Sequence, residues 1–463
     1  MRWDQPRAHL TVAALQWVLL VGSSLALLFW VPRARTAGAF FEGRRADRAP
    51  GFWLLLASLV ISWLFAKSLT NAANLGAAYG IVGGVAYATY YLSFAVAGYV
   101  IVRLRREGGF ASIHDFLLSK HGRSAVALFS VLIAFRLFNE VWSNTMVIGS
   151  YFGAAGSGSY LAAVVAFTAL TLAYAAKGGM SSSLLSDAVQ MVLFGVLLAV
   201  FLGLIARLWV SGEVRMEAAG TGFGQSGLTA WTLAGGLDLL LVALVQSLSY
   251  PFHDPVMTDR GFLADARTTR RAFYWAVPVG AACIVAFSLV GVFARAAGLE
   301  GEAPVAVARL LGVPAMLVVN LIMVTSAAST LDSAFSSWAG LATRFGGSRR
   351  VSSGRLAMAV LAVAGTVPVW FGPEILSATT ISGLMVVGLA PGFLGWRWRV
   401  PWWAFHVSVA AGLFVGIHYA AVGVPAWLMF GGGKYAGLLG ATVFGTIVSS
   451  VMFGASRLIS PPT

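Results

Sequence analysis

The stretch SAASTLDSAFSS, Ser326 to Ser337, comes directly after the apolar run AMLVVNLIMVT and decides how the rest of the chain is read. At about 100° per residue, Ser326, Ser329, Thr330, Ser333 and Ser337 share one helix face, with Asp332 toward its edge. Hydroxyl and carbonyl oxygens are hard ligands, and several of them converging at membrane depth can replace much of the hydration shell of an alkali cation. The competing reading is that Ser and Thr let helices approach closely or hydrogen-bond a neighbour. Asp332 favours the first reading, because intramembrane carboxylates are costly.

Outward from that stretch the chain stays apolar. Of 463 residues, 59% are hydrophobic and 10% charged, and the mean hydropathy is +0.82, a balance that excludes an ordinary soluble domain. The reading is an all-α polytopic membrane protein embedded in a lipid bilayer. Spans are predicted over 9–31, 52–75, 78–102, 124–153, 158–176, 182–209, 231–257, 272–295, 314–341, 356–371, 375–396, 402–422 and 434–455, about thirteen in all. The first run is too long for a signal-peptide core and is read as a retained helix.

The formal charge of +14 does not indicate a nucleic-acid partner, because the basic residues fall in alternate loops. Arg33 and Arg35, then Arg103, Arg105 and Arg106, then Arg260, Arg267, Arg270 and Arg271, then Arg344, Arg349 and Arg350, then Arg397 and Arg399, and finally Arg457 all lie on one side of the predicted topology. The positive-inside rule makes that side cytoplasmic, with the N-terminus outside and the C-terminus in the cytoplasm of a cell inner (plasma) membrane. Cys283, the single cysteine, sits in an apolar run and reads as a packing residue, and the six His are scattered.

Three further polar features interrupt the spans. In YAAKGGMSSSLLSDAVQMVLF, Tyr174 to Phe194, Ser183, Ser186, Asp187 and Gln190 share one face after a break at Gly178 and Gly179. Asp187 needs a partner there, whether a cation, a basic side chain or a proton; the plainer alternative is a structural hydrogen bond to a neighbouring helix. In FRLFNEVWSNTMVIGSYFG, Phe135 to Gly153, Arg136 and Glu140 are spaced to pair at i and i+4, and Asn139 and Ser143 extend that face. In WLFAKSLTNAANLGAAYG, Trp63 to Gly80, Lys67 is followed by Ser68, Thr70, Asn71 and Asn74, which reads as an interrupted helix lining a cavity. The plainer alternative is a Lys67 that snorkels toward the cytoplasm.

Taken together, GGMSSSLLSDAVQ (Gly178 to Gln190), YPFHDPVMTDRGFLADARTTRRA (Tyr250 to Ala272) and SAASTLDSAFSS resemble, in order and spacing, the motifs of the sodium:solute symporter family, over roughly residues 50 to 400. The resemblance implies a LeuT-like core of two inverted five-helix repeats. It also implies the organisation 1–50 for an extra helix and loop, 51–210 for the first repeat, 211–400 for the second, and 401–463 for two further helices. Site residues carried over from the family are Ser329 and Thr330 as sodium-binding hydroxyls, Ser326 through its backbone carbonyl, and Asp187 as a sodium-associated carboxylate. The remaining ligands are expected to be carbonyls of the broken second span, where Lys67 departs from the family's small residues.

These readings lead to one functional expectation: sodium-coupled symport of a small polar solute by alternating access, with Na⁺ the ion and no oligomer required. Asn71, Asn139, Glu140, Asn144 and Gln246 are the candidate solute-lining residues, since all are polar and lie in or near apolar spans. A second transport reading has Lys67 substitute for sodium, paired with Asp187, giving proton-coupled or cation-independent transport. A membrane-embedded enzyme needs a base or metal beside a nucleophile, and His114 and His253 fall at or beyond predicted helix ends. A sensor is the other non-transport reading, and no cytoplasmic domain follows the last predicted helix to relay a signal.

Overall fold

The structure, a computed structural model, describes residues 6–44, 48–212, 231–345, 349–372 and 382–459. Its long helices are α1 (Pro6–Trp30), α2 (Phe52–Trp63), α3 (Ala66–Tyr79), α4 (Ile81–Arg106), α5 (Ile113–Ser150), α6 (Gly158–Gly178) and α7 (Met180–Ser211), followed by α8 (Asp238–Gln246), α9 (Ala266–Ala296), α10 (Val313–Phe345), α11 (Val351–Thr366), α12 (Ala404–Val422) and α13 (Ala436–Ile459). Among the described residues, ten helices are long and apolar enough to cross a membrane, and α2 with α3 makes an eleventh span bent by 62°.

The expectation of about thirteen spans is not matched in number among the described residues. The segment expected over 231–257 is divided: Gly236 takes φ 107°, α8 runs only from Asp238 to Gln246, and a 3-10 turn at Tyr250–His253 leads to a short helix, Pro255–Arg260. Gly236, with its positive φ, accounts for the first break, and Pro251 and Pro255, which cannot donate backbone hydrogen bonds, stand at the starts of the two short elements that follow α8. Part of the segment expected over 375–396 lies outside the described residues, and its described end includes the helix Leu389–Leu394.

The chain divides into two compact units. The first comprises Met1–Gly84, Leu137–Thr229 and Ala282–Pro373. Its centre is α10, which packs against α1, α2, α3, α6, α7 and α11. In its most apolar stretch 72% of residues are buried, against 28% for α7 and 22% for α1, so α10 presents polar side chains to protein rather than lipid. Glycines set the closest approaches: a Cβ on Gly291 of α9 would lie 1.6 Å from the Ala73 carbonyl of α3, and one on Gly76 would lie 2.1 Å from the Ser288 carbonyl. The α3 and α9 backbones therefore touch, the small-residue packing expected where lipid removes the hydrophobic drive between helices.

The second unit comprises Val85–Arg136, Ala230–Ala281 and Glu374–Thr463. Phe393 stacks on Phe252, ring centroids 4.2 Å apart, and has Phe116, Phe129 and Phe405 around it. Arg105 at the end of α4 donates to the Gly261 and Ala264 carbonyls at 2.8 and 2.7 Å, holding the loop before α9. Asp238 accepts from the Tyr435 N–H at 2.7 Å and so fixes the start of α8 to the start of α13.

Candidate functional site

The polar stripes read from the sequence meet in the first unit. Asp187 on α7 accepts hydrogen bonds from Ser329 on α10 at 2.5 Å and from Ser58 and Ser62 on α2 at 2.5 and 3.2 Å. Asp332 on α10 accepts in turn from Ser183 and Ser186 on α7, at 2.8 and 2.7 Å. The two helices thus exchange partners, each supplying a carboxylate to the other's hydroxyls. Ser333 joins the groups, 2.9 Å from the Ser62 hydroxyl and 3.2 Å from that of Ser183. All these side chains are buried, and hydrogen bonding on this scale is what makes buried carboxylates tolerable.

The break between α2 and α3 faces the same stretch of α10. Leu64 (φ −80°, ψ 60°) and Phe65 (φ −55°, ψ 143°) leave the helical conformation. The Ser326 hydroxyl donates to the Leu64 carbonyl. Thr330 lies with its hydroxyl 3.4 Å from the Ser62 carbonyl and 3.1 Å from that of Ser326. No glycine or proline stands at 62–66, so the break is held by tertiary hydrogen bonds that take over the carbonyls α2 cannot use. The interruption expected within Trp63 to Gly80 is therefore present, at Leu64 and Phe65, and the polar residues from Lys67 onward lie in the regular helix that follows it.

Ser62, Ser326, Ser329, Thr330 and Asp187 therefore bring carbonyl, hydroxyl and carboxylate oxygens to one place. Among the described residues there is no group of three or more His, Cys, Asp or Glu able to hold a metal. An all-oxygen set containing few charges fits a hard monovalent cation better than a transition metal.

Lys67 corrects two expectations. It is fully buried rather than snorkelling, and its ion pair is with Glu140 on α5, Nζ to Oε1 3.0 Å, rather than with Asp187. The ammonium also donates to the Ser143 hydroxyl at 2.9 Å and the Asn139 carboxamide oxygen at 3.4 Å, and the Phe65 ring lies 5.1 Å away. Glu140 accepts at its other oxygen from Asn144 Nδ2, 2.8 Å. The Arg136 and Glu140 side chains, spaced to pair along α5, each take an ion partner from elsewhere in the chain. Arg136, the last residue of its segment in the second unit, pairs within that unit with Asp254, 3.1 Å, both buried.

Of the solute-lining candidates, Asn71, Asn139, Glu140 and Asn144 belong to the first unit. Thr70 Oγ1, Asn71 Nδ2 and Asn144 Oδ1 are buried with no protein hydrogen-bond partner among the described residues. Gln246 belongs to the second unit, where Oε1 accepts from Tyr90 at 2.9 Å and Nε2 lies 3.3 Å from the Thr442 hydroxyl. Sequence reasoning missed Ser58 and Ser62. Their i, i+4 spacing in ASLVISW was the available signal, and in isolation it reads as helix packing. It also missed Asp254, whose position before Pro255 reads only as a helix cap.

No family model matches the chain. Over 190 residues, 40% of this chain and 28% of the relative's length, it is 27% identical to a sodium/glucose cotransporter 2 of Rattus norvegicus. The match thus spans little more than a quarter of that relative. Solved structures match far more extensively. A Na⁺-coupled sialic acid symporter in a substrate-bound outward-open state aligns over 97% of this chain and 98% of its own, with TM-score 0.68 and 14% identity. Mhp1, a nucleobase-cation-symport-1 family transporter in a closed conformation with bromovinylhydantoin bound, aligns over 93% and 98%, with TM-score 0.57 and 14% identity. MhsT in complex with L-phenylalanine aligns over 88% and 98%, with TM-score 0.52 and 14% identity. These structures show the fold, which is LeuT-like as the resemblance implies.

Proposed function

We propose that this protein is a sodium-coupled symporter that imports a small polar organic solute by alternating access across the plasma membrane, with its N-terminus outside and its C-terminus in the cytoplasm. The observation that carries the reading is the meeting of Ser329 and Thr330 with Asp187 and the carbonyls of a broken helix. Carbonyls at such a break have lost their helical partners, and hydroxyls can rotate their lone pairs toward an ion, so this group is equipped to replace water around Na⁺. Ser329, Thr330, the Ser62 and Ser326 carbonyls and Asp187 are the proposed ligands. Na⁺ held there ties α10 to the α2–α3 break, and any preference of the solute for that tied state makes the two affinities rise by the same factor. The membrane potential adds about 2.3 kcal/mol per charge per 100 mV.

Thr70, Asn71 and Asn144, with buried polar atoms that lack protein partners among the described residues, support a polar solute in the first unit. A buried donor or acceptor left unsatisfied costs about 1–3 kcal/mol, which a solute's own polar groups can recover. Lys67 and Arg136 already have carboxylate partners, so the solute need not be an anion. The Lys67–Glu140 pairing also weighs against the reading in which Lys67 takes sodium's place beside Asp187.

The test is uptake of a panel of labelled amino acids, sugars, carboxylates and ureides into proteoliposomes, with and without an inward sodium gradient. Accumulation driven by the gradient is expected for one class. Uptake that is equal in sodium-free buffer at every pH would overturn the reading.

A further inference from the structure

Buried deep in the first unit, the Lys67 ammonium has oxygen ligands of three kinds: the Glu140 carboxylate at 3.0 Å, the Ser143 hydroxyl at 2.9 Å and the Asn139 carboxamide at 3.4 Å. The Phe65 ring adds a π face 5.1 Å away. Two of these oxygens have support of their own: Glu140 accepts from Asn144 at its other oxygen, and the Ser143 hydroxyl donates to the Asn139 backbone carbonyl at 2.6 Å. A carboxylate, a hydroxyl, a carboxamide oxygen and an aromatic face are what a monovalent cation is bound by, and all four are carried by α5 or by the residue that precedes α3 rather than by the lysine. The ligand distances suit an ammonium or a large alkali ion better than a small one, since the contacts to a Ca²⁺-sized cation are near 2.3–2.6 Å.

We propose that Asn139, Glu140 and Ser143 form a second monovalent-cation cage, permanently filled by Lys67 as a tethered ammonium. The chain therefore carries one of its two cations covalently, and only the Asp187, Ser329 and Thr330 group exchanges an ion with solution. The second clause rests on the sodium reading above; the first does not. Lys67→Ala opens the cage, and the freed volume and the Glu140 charge select methylammonium, ammonium or K⁺.

The experiment is cation titration of purified full-length protein in nanodiscs, followed by tryptophan fluorescence and by thermal melting, with NaCl, KCl and methylammonium chloride at constant ionic strength. The wild type is expected to show one saturable component, for sodium. Lys67→Ala is expected to gain a second, for methylammonium or K⁺, with a saturable rise in melting temperature. Adding Glu140→Gln should weaken that component by roughly tenfold or more, the loss expected for a hydrogen-bonded charge. Lys67→Ser keeps the opened volume and provides a second background. The proposal is overturned if both Lys67 variants respond to these cations as the wild type does, or if both stay unfolded at every methylammonium and K⁺ concentration. A wild type blind to sodium beside a Lys67→Ala that gains the new component would sink the sodium reading and leave this one standing.

Discussion

Ser329 on α10 donates to the Asp187 carboxylate on α7 across 2.5 Å, and the same carboxylate takes Ser58 and Ser62 from α2. One buried side chain thus fastens three helices, one of which ends at the break whose carbonyls face Thr330 and Ser326. Any ion entering this group perturbs the contacts among all three.

Ser329→Ala and Thr330→Ala should each raise the sodium concentration for half-maximal uptake by roughly tenfold, the equivalent of one good hydrogen bond to a charged group. Sodium titration of solute uptake in proteoliposomes checks this. Asp187→Ala should have the larger effect, because it also leaves Ser58 and Ser62 without their shared acceptor. Sodium dependence unchanged in all three variants contradicts the site.

Glu140→Gln should destabilise the fold by about 3–5 kcal/mol, since it leaves the fully buried Lys67 ammonium without its counter-charge. The double substitution Lys67→Met, Glu140→Gln should recover most of that loss, because neither member of the pair then carries a charge. Thermal melts of the two variants and the wild type in one detergent decide it, and a double variant no better than Glu140→Gln counts against the pair.

The hydroxyl stripe of α10 and the face carrying Ser183, Ser186 and Asp187 were legible because a 3.6-residue period stands out against long apolar segments. The partners on the facing helix were not. Periodicity places Arg136 and Glu140 on one face, yet Asp254 and Lys67, 118 and 73 residues away in sequence, are the groups they meet. The break at Leu64 and Phe65 has no local cause in the sequence, since α10 holds it open, and the polar residues from Lys67 onward mark only the helix that follows it. The division of the segment 231–257 was readable from Gly235, Gly236, Pro251 and Pro255, but its high hydropathy masked it.

Gly179→Ala should lower stability by about 1–3 kcal/mol. Gly179 joins α6 to α7 with φ 58° and ψ −141°, a conformation closed to other L-residues, and a Cβ there would lie 2.3 Å from the Phe40 carbonyl. Because Asp187 lies about two turns further along α7, weakened sodium dependence should accompany the lower melting temperature. A melting temperature within error of the wild type would show that the turn tolerates a side chain.

Asp265 caps the N-terminus of α9: Oδ1 accepts from the Arg267 and Thr268 N–H groups at 2.9 and 3.0 Å. Bonding from the Thr268 side chain, then from its backbone N–H, holds the exposed carboxyl below its ordinary range. A carboxyl whose folded value is depressed contributes stability that is present above its unfolded value, near 3.9, and is lost as pH falls through the folded value. Asp265→Ala should therefore cost about 1 kcal/mol at neutral pH, the usual worth of a cap. The difference in melting temperature between wild type and this variant should hold from pH 7 to about pH 5 and shrink below roughly pH 4 as the wild-type carboxyl takes up its proton. Melts in matched buffers across that range test both statements, and a difference that instead grows toward low pH would show that the charge at Asp265 opposes the fold.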